Sequence, residues 1–484
     1  MKPKDTTAGT TAGQRLLKQL RAELVGIDMK VPTMSGAARQ YVNLDNASST
    51  PTFRPVMKKV DEFLGLYANV HRGTGFKSQL ASWAFETARR DVATFVNADL
   101  AEKTVIFTKN TTESINRLSR LYPFRPDGII ITSMMEHHSN DLPWRRAAKV
   151  VHVGLKPDGS LDLEDYARKL KEHSGKVDLV TMTGASNVSG WVMPYHYLAR
   201  LAHGAGAKFA LDAAQLAPHR PIDMRPSADP EHIDYLAFSA HKMYAPYGIG
   251  ALVGDRKPLL DAAPDLVGGG VVDIVTIENA YWRELPEREE AGTPDIVGVV
   301  ALAAAIRLLK AVGWEAIREH EDRLARHLLT RLAEVPELKI YGQNDVNDVS
   351  NRLAVVAFNV GSMPHALVAA ILSYEHGIGV RNGCFCAHPY VLCLLDVDRE
   401  EAEKVRSEIL DRNRTHVPGA VRASVGMYND ESDIDALVEA LKAIQRGEHS
   451  GSYVICRETG NYVPAERNCF EFDSHFTLDP RLPA

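Results

Sequence analysis

Residues 239–242 (Ser-Ala-His-Lys) place a hydroxyl, an imidazole and an amine directly after the apolar run 233–238. The amine of Lys242 can condense with an aldehyde, and Ser239 and His241 can bind a phosphate group. Pyridoxal 5'-phosphate (PLP) combines both groups, since it takes a lysine as its covalent anchor and its ring withdraws electrons. The four residues alone would be ordinary loop residues in most chains, so the interpretation depends on what surrounds them.

An acid that could face the ring nitrogen of such a cofactor follows the strand-like residues 208–211. Asp212 would keep this nitrogen protonated, and Gln215 would reach the ring hydroxyl oxygen. The alternative for Asp212 is a helix N-cap after a strand, which is common in α/β proteins. With Lys242 at the end of a second strand, we favour the cofactor interpretation.

Two further polar segments follow apolar strands. Residues 109–114 open a helical pattern, whose first backbone N–H groups, together with the hydroxyls of Thr111 and Thr112, suit an anionic phosphate. Residues 135–144 contain His137, which could stack on the pyridine ring. Plain capping and a structural histidine are the alternatives when each segment is taken singly.

Together these motifs resemble the fold-type I, class V pyridoxal enzymes, above all the group II cysteine desulfurases and selenocysteine lyases. Segments 41–48, 69–73, 186–190 and 421–429 also match the family's pattern. The resemblance extends over roughly four fifths of the chain, and the ordered combination of motifs is specific for the superfamily.

The resemblance implies a role for each matched residue. Lys242 would carry the cofactor, Asp212 would pair with its ring nitrogen, and His137 would stack on the ring and take part in catalysis. Gln215 and Asn187 would contact the ring oxygen. The phosphate would be bound by Thr111, Thr112, Ser239, His241 and Thr293. Thr293 would come from the neighbouring subunit of a homodimer. Arg422, Arg381 and Asn46 would bind the substrate, with Arg422 as a bidentate fork on its carboxylate.

In group II desulfurases the sulfur-accepting cysteine lies five residues after an arginine and precedes Ala-x-Pro. Arg381 and residues 387–389 therefore single out Cys386. The two preceding residues depart from the family, because Cys384 and Phe385 stand where histidines are usual.

The extra thiol of Cys384 leaves three alternatives: a persulfide relay, a strained disulfide, or a small buried hydrophobic residue, which is the commonest fate. A zinc site from Cys384, Cys386, His388 and Cys393 lacks the usual spacing, so no metal is predicted.

Two segments lie outside the family's compact pattern. Residues 390–421 are longer than expected and contain a charged helical stretch at 398–410, either a solvated helix or a flap over the thiol. The aromatic-rich residues 447–484 form either a strand-rich cover or a docking tail for a sulfur acceptor.

The predicted function is that of a PLP-dependent cysteine desulfurase, which converts L-cysteine to L-alanine and leaves the sulfur on Cys386. Arg381 and His388 are expected to favour its thiolate. The alternative is another class V reaction (aminotransferase, epimerase, or cysteine or selenocysteine lyase) in which Cys386 is not catalytic. A non-catalytic carrier is disfavoured, because it would not need Lys242, Asp212 and Arg422 together.

The composition of the chain limits which other classes of protein it can belong to. The 484 residues are 45% hydrophobic and 24% charged, as in ordinary globular proteins. A net charge of −6 provides no basic field for nucleic acid or anionic membranes, and no apolar run approaches a membrane span. Five cysteines in 484 residues predict reduced thiols and a cytoplasmic enzyme.

Short apolar strands that alternate with amphipathic helices predict an α/β fold: a mainly parallel, seven-stranded sheet in a large domain plus a smaller α+β domain. The predicted divisions are an N-terminal segment that packs on the small domain (1–40), the large PLP-binding domain (41–295), the small domain (296–446) and a C-terminal extension (447–484).

Overall fold

A computed structural model describes residues 12–465 and 470–480. The chain begins with one helix and three short strands: α1 (Ala12–Ala22), β1 (Lys30–Pro32), β2 (Ala38–Gln40) and β3 (Val42–Asn43). The amphipathic helix α1 buries Leu17 and Leu20, and β1 pairs with β2 in an antiparallel hairpin.

The centre of the protein is a seven-stranded sheet. Its strands are β4 (Lys103–Thr108), β5 (Ile129–Ser133), β6 (Lys149–Val153), β7 (Val177–Thr183), β8 (Lys208–Asp212), β9 (Tyr235–Ser239) and β10 (Gly250–Asp255). They are ordered β4-β10-β9-β8-β7-β5-β6, and only β10 runs antiparallel to its neighbours. Strands β4, β5, β7 and β9 are buried along their whole length, as expected when helices cover both faces of a sheet. The predicted mainly parallel sheet is confirmed.

Helices cover the sheet, and a hairpin follows it. The helices are α2 (Arg54–Leu64), α3 (Phe76–Phe95), α4 (Thr111–Leu121), α5 (Leu142–Ala147), α6 (Leu163–Glu172), α7 (Tyr195–Gly204) and α8 (Arg256–Asp261). Short 3-10 turns occupy His138–Asn140, Ala240–Lys242 and Glu287–Glu289, and the hairpin consists of β11 (Val272–Val275) and β12 (Ala280–Trp282).

Two long helices connect this layer to the second one: α9 (Ile296–Val312) and α10 (Trp314–Leu332), which meet at Gly313. In the described part of the chain, no single helix has the length and apolarity to cross a membrane; α9 and α10 meet that criterion only as a pair, bent by 81°.

The smaller layer has an antiparallel four-stranded sheet of order β13-β14-β17-β16. Its elements are β13 (Leu338–Tyr341), β14 (Val355–Val360), α11 (His365–His376), β15 (Ile378–Gly379), β16 (Arg381–Gly383), α12 (His388–Leu394), α13 (Arg399–Leu410), β17 (Ala420–Ser424) and α14 (Glu431–Gln445). This layer has the α+β organisation predicted for the smaller domain.

Two of the three hydrophobic core clusters in the described part of the chain meet within α10. Helix α9 packs against α2 and α3 and belongs to the larger core, which continues to Ile317. The second core begins at Leu324 on the same helix. The change from one cluster to the other therefore lies inside α10, and the domain boundary at residue 296 stays a prediction. Helix α1 likewise buries its leucines in the larger core, although Arg21 reaches Asp433 of the smaller layer at 2.7 Å.

The N-terminal segment crosses between the two layers. Strand β3 pairs in parallel with β15, and Asp45 forms an isolated bridge with Ser424 at the end of β17. Residues 45–48 are thereby held against the smaller layer beside the carboxyl ends of the large sheet.

The insertion and the C-terminal extension contact each other. Helix α13 has no buried residue, which is the pattern of the solvated helix predicted as one alternative for the insertion. The extension forms β18 (Tyr453–Ile455), β19 (Tyr462–Pro464) and α15 (Phe472–His475). Backbone hydrogen bonding joins Arg414 N to Arg457 O at 2.9 Å. Cys469 of this extension lies outside the described residues.

A buried charge network joins the sheet layer to α10. Glu321 is 1% exposed, and its two oxygens accept from Arg220 Nη1 at 2.7 Å and pair with His219 Nδ1 at 2.7 Å. Arg220 also donates to the backbone oxygen of Arg352 at 3.1 Å. Burial disfavours the charge of Glu321, but the neighbouring His219 and Arg220 outweigh it and lower the pKa of the carboxyl.

Removing one member of this network should destabilise the fold strongly. We expect Glu321→Ala to reduce the free energy of unfolding by about 3 kcal/mol, because the buried Arg220 guanidinium keeps only the partly exposed Asp322, 2.9 Å from its Nη2, as counter-ion and His219 loses its partner. Exposed Glu319 on the same helix bonds only Gln14 among the described residues, so Glu319→Ala should cost less than ~0.5 kcal/mol. Guanidinium denaturation midpoints measure both; equal losses would contradict the argument.

Candidate active site

A cavity of about 440 Å³ opens at the carboxyl ends of the parallel strands, between the two layers. This is the edge at which open α/β sheets bind ligands. It brings together most of the residues predicted from sequence: Thr111, Thr112, His137, Asn187, Asp212, Gln215, Ser239, His241, Lys242, Arg381, Cys386 and Arg422.

Lys242 ends the 3-10 turn after β9. Burial, together with the Arg422 cation, lowers the pKa of its amine to about 8, against the opposing effects of Asp212 and Cys386. No described residue accepts a hydrogen bond from its Nζ. A lysine with this pKa has a larger neutral fraction near neutral pH than an exposed lysine, and the neutral amine is the form that acts as nucleophile and base.

Asp212 ends β8 and is 5% exposed. Its Oδ1 accepts from the backbone N–H of Ala214 at 2.9 Å, and burial raises the pKa of the carboxyl. Among the described residues no group donates to Oδ2. A protonated pyridine nitrogen would supply the missing cationic donor, so this carboxylate fits the ring nitrogen of PLP.

Hydroxyl groups surround the N-terminus of α4. Ser239 Oγ accepts from Thr111 N at 2.8 Å and lies 2.7 Å from Thr111 Oγ1, while Thr112 Oγ1 lies 2.7 Å from Ser139 Oγ. Asn110 caps the helix by accepting from Glu113 N at 3.0 Å. Hydroxyls around a capped helix start are suited to a phosphate dianion.

Strand β10 approaches this loop closely. A Cβ on Gly250 would lie 2.7 Å from Asn110 Cα and from the backbone oxygen of Phe238, so only glycine fits there. Asn110 itself is extended, with φ −173°, and needs no glycine-like conformation.

The His137 ring is kept neutral. Its Nδ1 accepts from Ser139 N at 3.1 Å, which assigns the ring proton to Nε2. Burial and, to a smaller extent, the positive charge of Lys242 lower the pKa of His137 to about 3. Burial also lowers the pKa of His241 to about 4. Neutral imidazoles in the cavity can stack or donate without adding charge.

Glu136 is a supporting residue that sequence reasoning missed. Its carboxyl accepts from Ser133 Oγ at 2.6 Å, Asn140 Nδ2 at 2.7 Å and Thr183 N at 3.1 Å, so it joins β5, β7 and the turn that carries His137. Burial raises its pKa to about 8. The sequence did contain a signal for this role, because Glu136 stands beside two histidines shortly after an apolar strand.

The loop that carries Cys386 is strained. Phe385 and Cys386 both have left-handed backbones, with φ 51° and 56°. Two long-range hydrogen bonds hold it: Asn187 Nδ2 to Phe385 O at 2.8 Å, and His138 N to Cys386 O at 2.7 Å. Such backbones persist only when the surroundings enforce them, and they concentrate at functional sites. The thiol of Cys386 is exposed at the cavity.

Two arginines on the small-domain side share one carboxylate. Asp45 accepts from Arg422 Nη2 at 2.8 Å and pairs with Arg381 Nη2 at 2.9 Å. Arg422 also donates to the backbone oxygen of Asn187 at 3.0 Å, and its Nε is buried without a hydrogen-bond partner among the described residues. Two cations held by one acid leave an excess positive charge, which suits a substrate carboxylate. Asp45 was not predicted from the sequence.

Residues 42–437 match the family described as aminotransferase class-V. The chain belongs to this family. A probable cysteine desulfurase of Streptomyces coelicolor is 36% identical over 420 residues, covering 84% of this chain and 92% of the relative. A cysteine desulfurase of Haloferax volcanii is 35% identical over 411 residues, covering 83% of this chain and 89% of the relative.

Solved structures agree. A cysteine desulfurase of Thermococcus onnurineus NA1 superposes with a TM-score of 0.73 at 33% identity, covering 84% of this chain and 95% of the other. The S-sulfonic acid form of an Escherichia coli cysteine desulfurase superposes with a TM-score of 0.70 at 30% identity, covering 90% of this chain and 99% of the other. The family and the cysteine-desulfurase resemblance predicted from sequence are therefore confirmed, and the family is PLP-dependent.

Cys384 and Phe385, in which this class-V chain departs from the group II pattern, do not form a second reactive centre. Cys384 is 6% exposed, its Sγ donates to Pro418 O at 3.2 Å, and burial raises the pKa of the thiol to about 12. All cysteines in the described residues are free thiols. The structure thus favours a small buried residue over the relay or the disulfide.

The expectation that His388 favours the Cys386 thiolate is corrected. Its ring stacks on His138 with centroids 4.9 Å apart, and its Nδ1 lies 3.0 Å from His138 Nε2. Burial lowers the pKa values of both rings, so His388 supplies no cation. Within the described residues, Cys384, Cys386, His388 and Cys393 are not grouped as metal ligands would be.

Two predicted site residues do not line the cavity. Asn46 donates from its amide to Ser424 O at 3.0 Å and accepts from Tyr428 Oη at 2.8 Å, so it fastens the N-terminal segment, and its contact with the substrate stays a prediction. Ser48, two residues later, lines the cavity. Thr293 lines a separate cavity of about 260 Å³ with His71 and Arg72.

Alkylation should separate the two neighbouring thiols. With iodoacetamide at pH 7, Cys386 should be labelled, whereas the Cys384 thiolate should be about three orders of magnitude rarer than that of an unperturbed thiol of pKa ~8.5. Peptide mass mapping gives the rates, and Cys386→Ser provides the background. Comparable labelling of Cys384 would contradict its buried, protonated state.

Proposed function

We propose that this protein is a PLP-dependent cysteine desulfurase that converts L-cysteine to L-alanine and retains the sulfur as a persulfide on Cys386. The observation that carries this proposal is the position of the thiol. Cys386 is exposed on a strained loop at the mouth of the cavity that contains Lys242 and the arginine pair.

The cavity has a partner for each part of the cofactor. Asp212 would bind the ring nitrogen, and Thr111, Thr112, Ser239 and His241 the phosphate. Asn187 and Gln215 each use one amide hydrogen on a backbone oxygen, Phe385 O and Ala47 O, which leaves the second for the ring oxygen. His137 would lie against the ring. When bound, PLP withdraws electrons from the substrate carbon atoms and so weakens the Cα–H and Cβ–S bonds.

The protein's own groups then have defined tasks. Arg422, fixed by Asn187 and Asp45, binds the substrate carboxylate through its unpaired Nε and the second hydrogen of Nη1. Lys242, whose pKa of about 8 leaves a useful neutral fraction, accepts the Cα proton at Nζ.

Sulfur transfer is the step assigned to Cys386. Its thiolate attacks the substrate sulfur; an S–S bond forms, the Cβ–S bond breaks, and Cβ gains a proton. Cysteine plus a protein thiol therefore gives alanine plus a protein persulfide, with no external oxidant or reductant. Cys386 lies close enough to Lys242 and Arg422 to interact electrostatically with both side chains, and the three residues line the same cavity.

A homodimer and a sulfur acceptor belong to the same proposal. The β11–β12 hairpin exposes Ile274, Val275 and Trp282, and contiguous apolar surface of this kind suits a subunit interface. Thr293 would then reach the phosphate of the partner. An exposed Cys386 would pass its sulfur to an acceptor protein, and free thiol chemistry suits the reducing cytoplasm.

Incubation of the holoenzyme with L-cysteine tests the function. We expect alanine and a mass gain of about 32 daltons, one sulfur atom, on the Cys386 peptide. Cys386→Ala should lose the persulfide, and Lys242→Ala should lose all activity.

Cys384→Ala is the matched control and should keep both products. Alanine without persulfide in the wild-type protein would indicate a lyase, and amino-group transfer to a keto acid would indicate an aminotransferase in which Cys386 is a bystander.

The pKa of Lys242 predicts how the apoprotein takes up its cofactor. The neutral amine reacts with the aldehyde, so the rate should rise with pH and level off near pH 8, instead of rising towards the 10.5 of an ordinary lysine. Stopped-flow absorbance of the lysine adduct measures this profile. Asp212→Asn should move the midpoint to lower pH, because Asp212 raises the pKa of Lys242. An unchanged rise beyond pH 10 would contradict the argument.

A further inference from the structure

Phe385 lines the active-site cavity but has no task in the proposed reaction. It is 8% exposed, and it stands where the group II pattern has a histidine. Its ring contacts the charged group of Arg422, whose Cζ lies over the ring at 5.1 Å from the ring centroid. Cys386 follows it directly in the chain. One residue therefore touches the cation assigned to the substrate carboxylate and adjoins the residue assigned to the sulfur.

The ring stabilises a cation whose counter-charge is incomplete. Arg422 is 3% exposed and shares the carboxylate of Asp45 with Arg381, which is 51% exposed and so is screened by water. The π face of an aromatic ring attracts a cation, most strongly where water is excluded. Phe385 therefore supplies part of the stabilisation that Arg422 loses on burial. It does so without using any N–H group, so these groups stay available for a ligand.

Asn187 joins the ring-bearing loop to the arginine a second time. Its Nδ2 donates to Phe385 O at 2.8 Å, and its backbone oxygen accepts from Arg422 Nη1 at 3.0 Å. The ring contact is the third side of this triangle. Phe385 and Cys386 both have left-handed backbones, and His138 N donates to Cys386 O at 2.7 Å. The guanidinium and the backbone of Cys386 are thus parts of one connected unit.

The proposed substrate needs such a unit, because it is short. In L-cysteine only Cα and Cβ separate the carboxyl carbon from the sulfur. If the carboxylate binds Arg422 and the sulfur is attacked by Cys386, the distance between these two residues has to match that span. A misplacement of about 1 Å can cost about 10²-fold in rate. A side chain that contacts one residue and adjoins the other sets this distance directly.

We propose that Phe385 is a positioning residue for sulfur transfer: its ring holds the Arg422 guanidinium, and its backbone holds Cys386, at the separation that L-cysteine requires. The inference rests on the proposed function and deepens it, since it names the residue that fits the carboxylate site and the thiol to one substrate. It also gives a role to a position in which the chain departs from the family pattern.

Binding of L-alanine to the holoenzyme tests the carboxylate side of the proposal. L-Alanine is the expected product, and ethylamine is the same molecule without the carboxylate. In absorbance titrations, Phe385→Leu should raise the Kd of L-alanine by roughly tenfold to thirtyfold, the worth of a buried cation–π contact, and leave that of ethylamine unchanged. Phe385→Tyr keeps the ring and should restore the wild-type Kd.

Leucine is the chosen replacement because it is not branched at Cβ and so adds no strain to the left-handed backbone. If Phe385→Leu does not fold, Phe385→Met makes the same comparison with a flexible, unbranched apolar side chain.

Single-turnover persulfide formation at saturating L-cysteine tests the thiol side. Phe385→Leu should slow the mass gain on the Cys386 peptide by about tenfold or more, because saturation fills the site but does not restore the alignment of the two sulfur atoms. Cys384→Ala is the matched control. It changes the other unusual residue of the same loop, whose thiol bonds Pro418 O at 3.2 Å, and should alter neither the Kd nor the rate.

The outcomes separate this inference from the proposed function. If the wild-type protein forms the persulfide, an unchanged L-alanine Kd or an unchanged single-turnover rate in Phe385→Leu would overturn the inference alone. Equal weakening of L-alanine and ethylamine, or failure of Phe385→Tyr to restore binding, would also overturn it, because the ring would then act by general packing. Absence of persulfide in the wild-type protein would overturn the proposed function and the thiol side together.

Discussion

The buried guanidinium of Arg422 is the contact on which the geometry of the active site depends. It projects from β17 of the smaller layer, bonds the backbone of Asn187 in the larger layer, and holds Asp45 and Ser48 of the N-terminal segment. Three separate parts of the chain therefore converge on one cation that is 3% exposed. Arginine suits this position because its planar fork can satisfy several acceptors at once and still direct an N–H towards the cavity.

Desolvation gives the cavity its chemical character. It lowers the pKa values of Lys242, His137 and His241, so groups that carry charge in water are wholly or partly neutral here. It raises the pKa of Asp212, which has no cationic hydrogen-bond donor among the described residues. A cavity of this kind favours ligands that bring the complementary charges, namely a protonated ring, a phosphate and a carboxylate.

The fold was predictable because its signals are local. Apolar strands followed by polar helix starts specify a parallel sheet, and each strand end places its next residues at one edge. This is why Thr111, Asp212 and Lys242, which follow different strands, were assigned to one site and are found around one cavity. The change of core within α10 has no such signal, since that helix is amphipathic on both sides of the junction.

The residues that sequence reasoning missed or misplaced depend on packing between distant segments. Asp45 and Asn46 are adjacent, and only the crossing of β3 between the layers decides which of them faces the arginines. Glu136 acts through Thr183 and Asn140, which lie on other elements, and His388 loses its expected charge because it meets His138. Thr293 lies apart from the cavity within one chain, and its place stays a prediction that involves a second subunit.

Cys384 illustrates how a departure from a family pattern can be absorbed by packing. Beside a reactive cysteine, an additional thiol suggests sulfur chemistry, but reactivity requires a thiolate and access. Burial raises its pKa to about 12, and its hydrogen bond to Pro418 O directs the sulfur towards the start of β17. Cys386, two residues later, is turned to the cavity by a left-handed backbone. The strained turn therefore divides the two thiols by environment, one as packing for the small domain and the other as the exposed group of the site.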